Sequence, residues 1–230
     1  AEHKTYDQVI PYTDRLNYVS SIMNNVGFAK AVEAAIGIEI TERCQFIRVI
    51  VSELMRIVDH LVSIAANLVD IGALTNFWYL YNKREALYDI LDRLTGARLT
   101  NSFTRIGGLS RDLYPGFEED VLKLLKEFED AVADVMKLIA RNKIFLKRTQ
   151  GVGIISAEDA ISYGFTGPCL RASGVPYDLR QIHPYYGYEN FDFEIPVGEC
   201  GDTYDRIFVR FEEIHQSIKI VRQALKKLPS

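Results

Sequence analysis

The sequence predicts a mainly α-helical protein, a helical bundle with a small irregular β-containing region. Several long stretches carry apolar residues at every third or fourth position, which is the spacing of one face of a helix. Glycine or proline borders most of these stretches, and many glycines and prolines are concentrated in residues 148–201. With 230 residues, 48% of them hydrophobic, the chain can bury the core of one large or two small domains.

The clearest helix spans residues 45–69. Its apolar side chains are separated by steps of three and four, and they form one stripe: Ile47, Ile50, Leu54, Ile57, Leu61, Ile64 and Leu68. At about 1.5 Å per residue this helix is roughly 36 Å long. Its length predicts that it runs through the centre of the fold.

The same spacing and the same border residues predict four further long helices: residues 16–35, 75–94, 117–140 and 204–228. Gly37 follows the first of these helices in the position of a C-terminal cap. Together with the central helix, they account for most of the chain.

Residues 148–203 differ from the rest, because short hydrophobic runs alternate there with turn residues. Ser156 and Asp159 form a capping-box pattern and Gly164 ends it, which predicts one short helix. The remainder of this segment is expected to consist of loops and small β elements. Residues 105–113, which have two glycines at their centre, are predicted to form a hairpin.

These patterns divide the chain into a helical core (1–147), a loop-rich segment with small β elements (148–203) and a C-terminal helix that packs on the core (204–230). All three parts are expected to belong to one domain. The chain begins without a methionine and ends without a closing element, so we expect it to be an excerpt of a longer protein.

The composition argues against several classes of function. A formal charge of -4 and an isoelectric point of about 5.7 leave no broad basic surface for nucleic acid. The three cysteines, Cys44, Cys169 and Cys200, are too few and too far apart for a disulfide framework, a four-cysteine iron–sulfur cluster or a cysteine-rich zinc site. Charged residues interrupt the longest apolar stretch, residues 46–69, so the sequence predicts no lipid-facing span.

Two features of the central helix are unusual for a core element. Glu53, Arg56 and His60 form a polar stripe along its otherwise apolar length, and buried charges are either paired or functional. Asp70 lies at the carboxyl end, where the helix carbonyls disfavour a negative charge by roughly 0.3–1 kcal/mol. Solvent, a cap on the next helix, or a cationic or histidine partner could compensate that charge.

Six segments, taken in order, carry a resemblance that covers essentially the whole chain: residues 3–20 (HKTYDQVIPYTDRLNYVS), 48–61 (RVIVSELMRIVDHL), 69–80 (VDIGALTNFWYL), 95–109 (TGARLTNSFTRIGGL), 148–180 (RTQGVGIISAEDAISYGFTGPCLRASGVPYDLR) and 198–210 (GECGDTYDRIFVR). They resemble the D subunit of NADH–quinone oxidoreductases of the respiratory complex I type. Related subunits of photosynthetic complexes and of archaeal coenzyme-linked dehydrogenases are similar.

The resemblance implies a fold like that of the large subunit of nickel–iron hydrogenases, with quinone bound where the metal centre would lie. Aligned on Ala31-Val32-Glu33, the first cysteine pair of a hydrogenase falls on Asn17 and Ser20, and Tyr18 lies between them. The family therefore implies that this chain binds no metal or other cofactor, that quinone is its substrate, and that a neighbouring subunit holds the iron–sulfur cluster.

The same resemblance implies roles for individual residues, although Tyr18 is otherwise one of 13 tyrosines. Tyr18 is expected to donate a hydrogen bond to a quinone carbonyl, and Asp70 to pair with a histidine that precedes residue 1 and to take part in proton delivery. His60 is also expected at the quinone. Arg15 and Arg56 are expected near the iron–sulfur cluster, where a fixed cation favours reduction.

One position departs from the family pattern. The histidine that commonly follows Gly-Ala-Arg, and that lies near the cluster in the family, is Thr100 in this chain. We therefore do not expect pH-coupled tuning of the cluster through that site.

The resemblance implies a core subunit of a proton-translocating NADH–quinone oxidoreductase that is not active alone. The expected partners are the iron–sulfur B subunit, the C subunit and the membrane-arm H subunit, on the cytoplasmic face of the cell inner membrane, with membrane contact only through the complex. The alternatives are a metal-bearing hydrogenase large subunit of the membrane-bound type and a noncatalytic scaffold subunit.

Overall fold

A computed structural model describes residues 2–229 of the chain. Within these residues, ten α-helices and one two-stranded hairpin follow in this order: α1 (Tyr6–Thr13), α2 (Ser21–Ile36), α3 (Glu42–Asp70), α4 (Leu74–Thr95), β1 (Thr104–Arg105), β2 (Gly108–Leu109), α5 (Phe117–Ile139), α6 (Lys143–Thr149), α7 (Ala157–Ser162), α8 (Gly167–Ala172), α9 (Leu179–Ile182) and α10 (Thr203–Lys227). Residues Tyr18–Ser20 and Tyr188–Asn190 form single 3₁₀ turns. The predicted mainly helical fold with a small β region is confirmed.

Helix α3 is the centre of the fold and packs against α2, α4 and α10. Its apolar stripe is buried along its whole length, and Leu54, Leu61, Ile64 and Leu68 are fully shielded from solvent. The Thr41 hydroxyl accepts a hydrogen bond from the amide of Cys44 at 3.3 Å and so caps the amino end. The five long helices predicted from the periodicity all occur. Most of their ends lie within a few residues of the predicted positions.

The start of the predicted helix 16–35 differs, because α2 begins only at Ser21. Asn17 has an extended backbone (φ -139°, ψ 95°), and residues 18–20 form a 3₁₀ turn. The side chain of Asn17 donates a hydrogen bond to Asp59 Oδ1 on α3 at 3.0 Å, which holds this turn against the central helix. A tertiary contact thus replaces the first helical turn that the apolar spacing predicts.

The prediction of small β elements within 148–203 was wrong. The described residues of this segment form no strand and contain three short helices, α7 to α9. Four of the seven prolines lie here, and proline removes a donor that a strand ladder needs. The backbone bonds instead to distant loops and side chains; for example, the amides of Glu199, Cys200 and Gly201 all donate to the Asp205 carboxylate. The β region is the predicted hairpin, in which Thr104 pairs with Leu109.

None of the helices described between residues 2 and 229 combines the length and the apolar composition that a bilayer crossing requires.

Candidate functional site

Tyr18 lies on the 3₁₀ turn between α1 and α2, and this turn packs on α3. Its side chain is 59% exposed, and its hydroxyl has no hydrogen-bond partner among the described residues. An exposed phenol without an internal partner can offer its hydroxyl to a bound molecule.

The loop that carries Tyr18 is anchored by the buried carboxylate of Asp14. This carboxylate accepts hydrogen bonds from Asn25 Nδ2 on α2 at 2.9 Å and from the amide of Ser102 at 3.2 Å. The Ser102 hydroxyl also donates to it. Hydrogen bonds to an ionised group are stronger than those between neutral groups, so Asp14 fixes the loop between α2 and the segment after α4.

An aromatic groove lies on the surface of α4. The rings of Phe77 and Tyr81 are stacked with centroids 3.8 Å apart, and the Arg84 guanidinium lies 4.2 Å above the Tyr81 ring and 5.2 Å from the Tyr88 ring. The groove has a volume of about 500 Å³ and is lined by Trp78, Tyr81, Asn82, Arg84 and Glu85. Sequence reasoning did not single it out.

Tyr88 lies one helical turn after Arg84, which contacts its ring. Its hydroxyl is buried and has no hydrogen-bond partner within residues 2–229. Burial raises the pKa of Tyr88; Arg84 opposes the rise, and the neighbouring acidic groups, among them the Tyr18 phenol, add to it.

Asp70 is the last residue of α3 and is exposed. Asp59, which accepts the hydrogen bond of Asn17, lies eleven positions before Asp70 on α3. The two residues therefore share one face of the helix, about 16 Å from each other. The structure thus places Asp70 and the Tyr18 turn along the same helix without direct contact. Arg148 Nη1 donates to the carbonyl of Ile71, the residue after Asp70, at 2.5 Å.

His60 is buried, and its Nε2 lies 2.7 Å from Glu213 Oε2 on α10. Glu213 Oε1 accepts a hydrogen bond from Arg171 Nε at 2.6 Å. Burial lowers the pKa of His60, and this effect outweighs the opposing one of Glu213. Burial alone would raise the pKa of Glu213, but its bonds to His60 and Arg171 lower it to about 2.

Glu53, one helical turn before Arg56, is fully buried and has several partners. Its carboxylate lies 3.2 Å from Arg56 Nε and 3.1 Å from Arg180 Nη1, and it accepts the hydroxyls of Tyr188 at 2.6 Å and Ser217 at 2.7 Å. Burial would raise the pKa of Glu53, but the charges of Arg56 and Arg180 and the two hydroxyl donors lower it to about 2.

Asp178 joins the two groups of charges, because its carboxylate contacts Arg180 at 2.7 Å and Arg171 at 3.7 Å. We call the connected set the buried ionic network: Glu53, Arg56, His60, Arg171, Asp178, Arg180 and Glu213. The pairing expected for buried charge is therefore present. The roles of His60 at the quinone and of Arg56 near the cluster stay predictions.

Arg15 is exposed on the same loop as Tyr18, and its Nη1 donates to the Pro11 carbonyl. The segment around Thr100 lies against the start of α2, where the Ser21 hydroxyl donates to the Leu99 carbonyl at 2.8 Å. Both positions are thus close to the Tyr18 turn. No group of three or more metal-ligating side chains occurs in the part of the chain that the structure describes.

The network predicts a loss of stability in acid. Glu53 and Glu213 titrate at about pH 2 in the folded protein and near 4.5 when unfolded, so their contribution is complete above about pH 5 and is lost as the pH falls towards 2. Urea unfolding at a series of pH values should therefore show the free energy of unfolding falling by a few kcal/mol over this range. In the variant Glu213→Gln, the free energy of unfolding should depend less on pH. A free energy of unfolding that is constant between about pH 5 and pH 3 in the unchanged chain would contradict the prediction.

The fold is mainly helical, with the Tyr18 turn and the aromatic groove of α4 at its surface. The family model described as "Respiratory-chain NADH dehydrogenase, 49 Kd subunit" matches residues 70–230, and the chain belongs to this family. The resemblance to the D subunit is thereby confirmed.

Similar curated proteins carry consistent names. The chain is 52% identical to the D subunits of the NADH-quinone oxidoreductases of Methylacidiphilum infernorum and Myxococcus xanthus, in each case over 229 residues that make up 100% of the chain and 55% of the relative. It is 51% identical to the C/D subunit of the NADH-quinone oxidoreductase of Bdellovibrio bacteriovorus, of which it covers 41%. The chain spans about half the length of the curated relatives it matches.

Proposed function

We propose that this chain is a core subunit of a proton-translocating NADH–quinone oxidoreductase and that it forms, with the iron–sulfur B subunit, the pocket in which quinone is reduced. The observation that carries the proposal is the exposed phenol of Tyr18, which has no hydrogen-bond partner among the described residues, on a chain of the 49 kDa subunit family. The names of the relatives support the same activity.

In this proposal Tyr18 binds and orients the quinone head group. A phenol is a neutral donor at pH 7, so its hydroxyl can donate to a quinone carbonyl and stabilise the negative charge that grows on that oxygen during reduction. The exposed ring of Trp78 provides a face on which a planar head group can stack. The electrons come from the cluster that the B subunit holds.

Asp70 and Arg15 serve the same site from two sides. The Asp70 carboxylate is exposed at the end of α3 and can exchange protons with solvent. Together with a histidine from outside this segment, it helps to supply a proton to the reduced quinone. Arg15 keeps a positive charge beside the cluster and favours its reduction. Arg56 and His60 support the site from the interior of α3, with Arg56 towards the cluster and His60 towards the quinone.

The partners in the proposal are the B, C and H subunits of the same complex. The chain lies peripherally on the cytoplasmic face of the cell inner membrane, and only the complex brings it to the lipid. Quinone is its substrate, and the chain itself holds no cofactor.

Tyr18→Phe tests the proposal. In the intact complex this change should keep assembly but lower the rate of quinone reduction by roughly tenfold to hundredfold, because the donor to the developing oxyanion is lost. NADH oxidation by an artificial acceptor should remain at the wild-type rate. Tyr163→Phe is the matched control, since Tyr163 is an exposed phenol on the turn after α7.

A Tyr18→Phe variant that reduces quinone at the wild-type rate would remove Tyr18 from the mechanism. A quinone photoaffinity probe that labels the complex everywhere except this chain would favour the scaffold alternative.

A further inference from the structure

The turn that follows Asp70 is closed by backbone bonds and by one side chain. The amides of Ile71, Gly72 and Ala73 donate to the carbonyls of Asn67, Val69 and Leu68, at 3.2, 2.8 and 2.7 Å. These bonds satisfy carbonyls of the last turn of α3, but none of them satisfies the carbonyl of Ile71. Arg148 Nη1 donates to that oxygen at 2.5 Å, from a position 77 residues further along the chain.

The backbone that carries Arg148 is firmly held. Helix α6 begins with the Asn142 side chain, which accepts the amides of Ile144 and Phe145 at 2.9 and 3.2 Å. Phe145 is buried against α10, and the Thr149 hydroxyl donates to the Phe145 carbonyl at 2.8 Å. An arginine on such a support can restrain the segment that its guanidinium contacts.

Gly72 makes room for this contact. Its φ of +94° is a conformation that side chains rarely adopt, and a Cβ at this position would lie 3.1 Å from Arg148 Nη1. The guanidinium therefore lies across the backbone directly after Asp70. It forms no ion pair within 4 Å of the Asp70 carboxylate among the described residues, so both carboxylate oxygens stay open.

We propose that Arg148 is a positioning residue for Asp70. It fixes the turn after Asp70 through the Ile71 carbonyl, and its charge offsets the repulsion between the Asp70 carboxylate and the carbonyl end of α3. Because it binds the neighbouring carbonyl rather than the carboxylate, it orients Asp70 without occupying the oxygens that exchange a proton. This inference rests on the proposed function of Asp70.

A double-mutant cycle in the intact complex tests the inference. Arg148→Ala should lower kcat for quinone reduction by roughly tenfold with little change in KM, because a displaced proton donor slows the chemical step rather than binding. Arg148→Lys should recover part of the rate, since it keeps the charge but loses the planar donor. In an Asp70→Asn background, Arg148→Ala should have almost no further effect.

Arg222→Ala is the matched control. The Arg222 side chain is 43% exposed and makes a bidentate contact with Glu129 on α5 at 2.7 and 2.8 Å, so its loss should leave kcat unchanged. NADH oxidation by an artificial acceptor, measured together with the subunit content of the purified complex, reports whether each variant complex is intact. Arg148→Gln replaces Arg148→Ala if the alanine variant does not assemble.

Two results would overturn the inference alone: a wild-type kcat in Arg148→Ala while Asp70→Asn is impaired, or the same fold loss from Arg148→Ala in both backgrounds. The second result would mean that Arg148 only stabilises the fold. If Asp70→Asn itself reduces quinone at the wild-type rate, the proposed role of Asp70 fails, and the inference fails with it.

Discussion

Glu53→Ala is expected to lower the free energy of unfolding by about 3–5 kcal/mol, the cost of removing one partner from a buried ion pair. Glu53 has no exposed surface, and its loss leaves the guanidiniums of Arg56 and Arg180 without their shared carboxylate. The hydroxyls of Tyr188 and Ser217 lose their acceptor as well. Urea unfolding of the purified chain, followed by circular dichroism, measures the change.

Glu129→Ala is the matched control for Glu53→Ala. Glu129 also pairs with an arginine, but the side chains of Arg222 and Glu129 are 43% and 35% exposed. Exposed pairs contribute roughly 0–1 kcal/mol because water screens them and solvates the remaining partner. Equal effects of the two substitutions would show that burial of the network does not determine its contribution.

Gly201→Ala is expected to destabilise the chain by about 3 kcal/mol or more, since the new side chain has no room. Its Cβ would lie 2.2 Å from the Ile155 carbonyl oxygen, and the φ of Gly201 is +67°. The backbone cannot move aside easily, because the Ile155 amide donates to the Gly201 carbonyl at 3.0 Å and the Gly201 amide to the Ala172 carbonyl at 3.1 Å.

Gly37→Ala separates the steric effect from the backbone strain. Gly37 has a φ of +71°, close to that of Gly201, but a Cβ there meets nothing within 4 Å. Only the left-handed conformation is then penalised, by about 1 kcal/mol. Thermal unfolding should therefore show a much lower midpoint for Gly201→Ala than for Gly37→Ala; similar midpoints would mean that the loop around residue 201 rearranges.

The long helices could be predicted from the sequence because their signals are local. Apolar spacing identifies α3, and the glycines that end α2 and α4, Gly37 and Gly96, adopt the left-handed conformation expected of caps. The 3₁₀ turn at Tyr18 could not be predicted in this way. It depends on contacts of Asp14 and Asn17 with residues up to 88 positions away.

The loop-rich segment 148–203 shows the same limit. Its prolines and glycines correctly predict irregular backbone, but not the partners of that backbone, such as Ile155 with Gly201 or Gly198 with Arg171. Without those partners, short hydrophobic runs are indistinguishable from small strands. The predicted β elements were wrong for this reason.

The candidate site was only partly predictable. The polar stripe of α3 indicates buried charge, but its partners Arg171, Arg180 and Glu213 lie on elements more than 100 residues away, and no spacing rule connects them. The aromatic groove carried a usable signal: Phe77, Tyr81, Arg84 and Tyr88 recur at steps of three and four, so they share one face of α4.

The buried ionic network has a consequence for the movement of protons. Its three carboxylates, Glu53, Asp178 and Glu213, balance the three guanidiniums, Arg56, Arg171 and Arg180, when His60 is neutral. A proton added anywhere in this set would leave an uncompensated positive charge in a medium of low dielectric constant. The network is therefore expected to resist the uptake of a proton in the interior of α3, and its charge balance is best kept while His60 stays neutral.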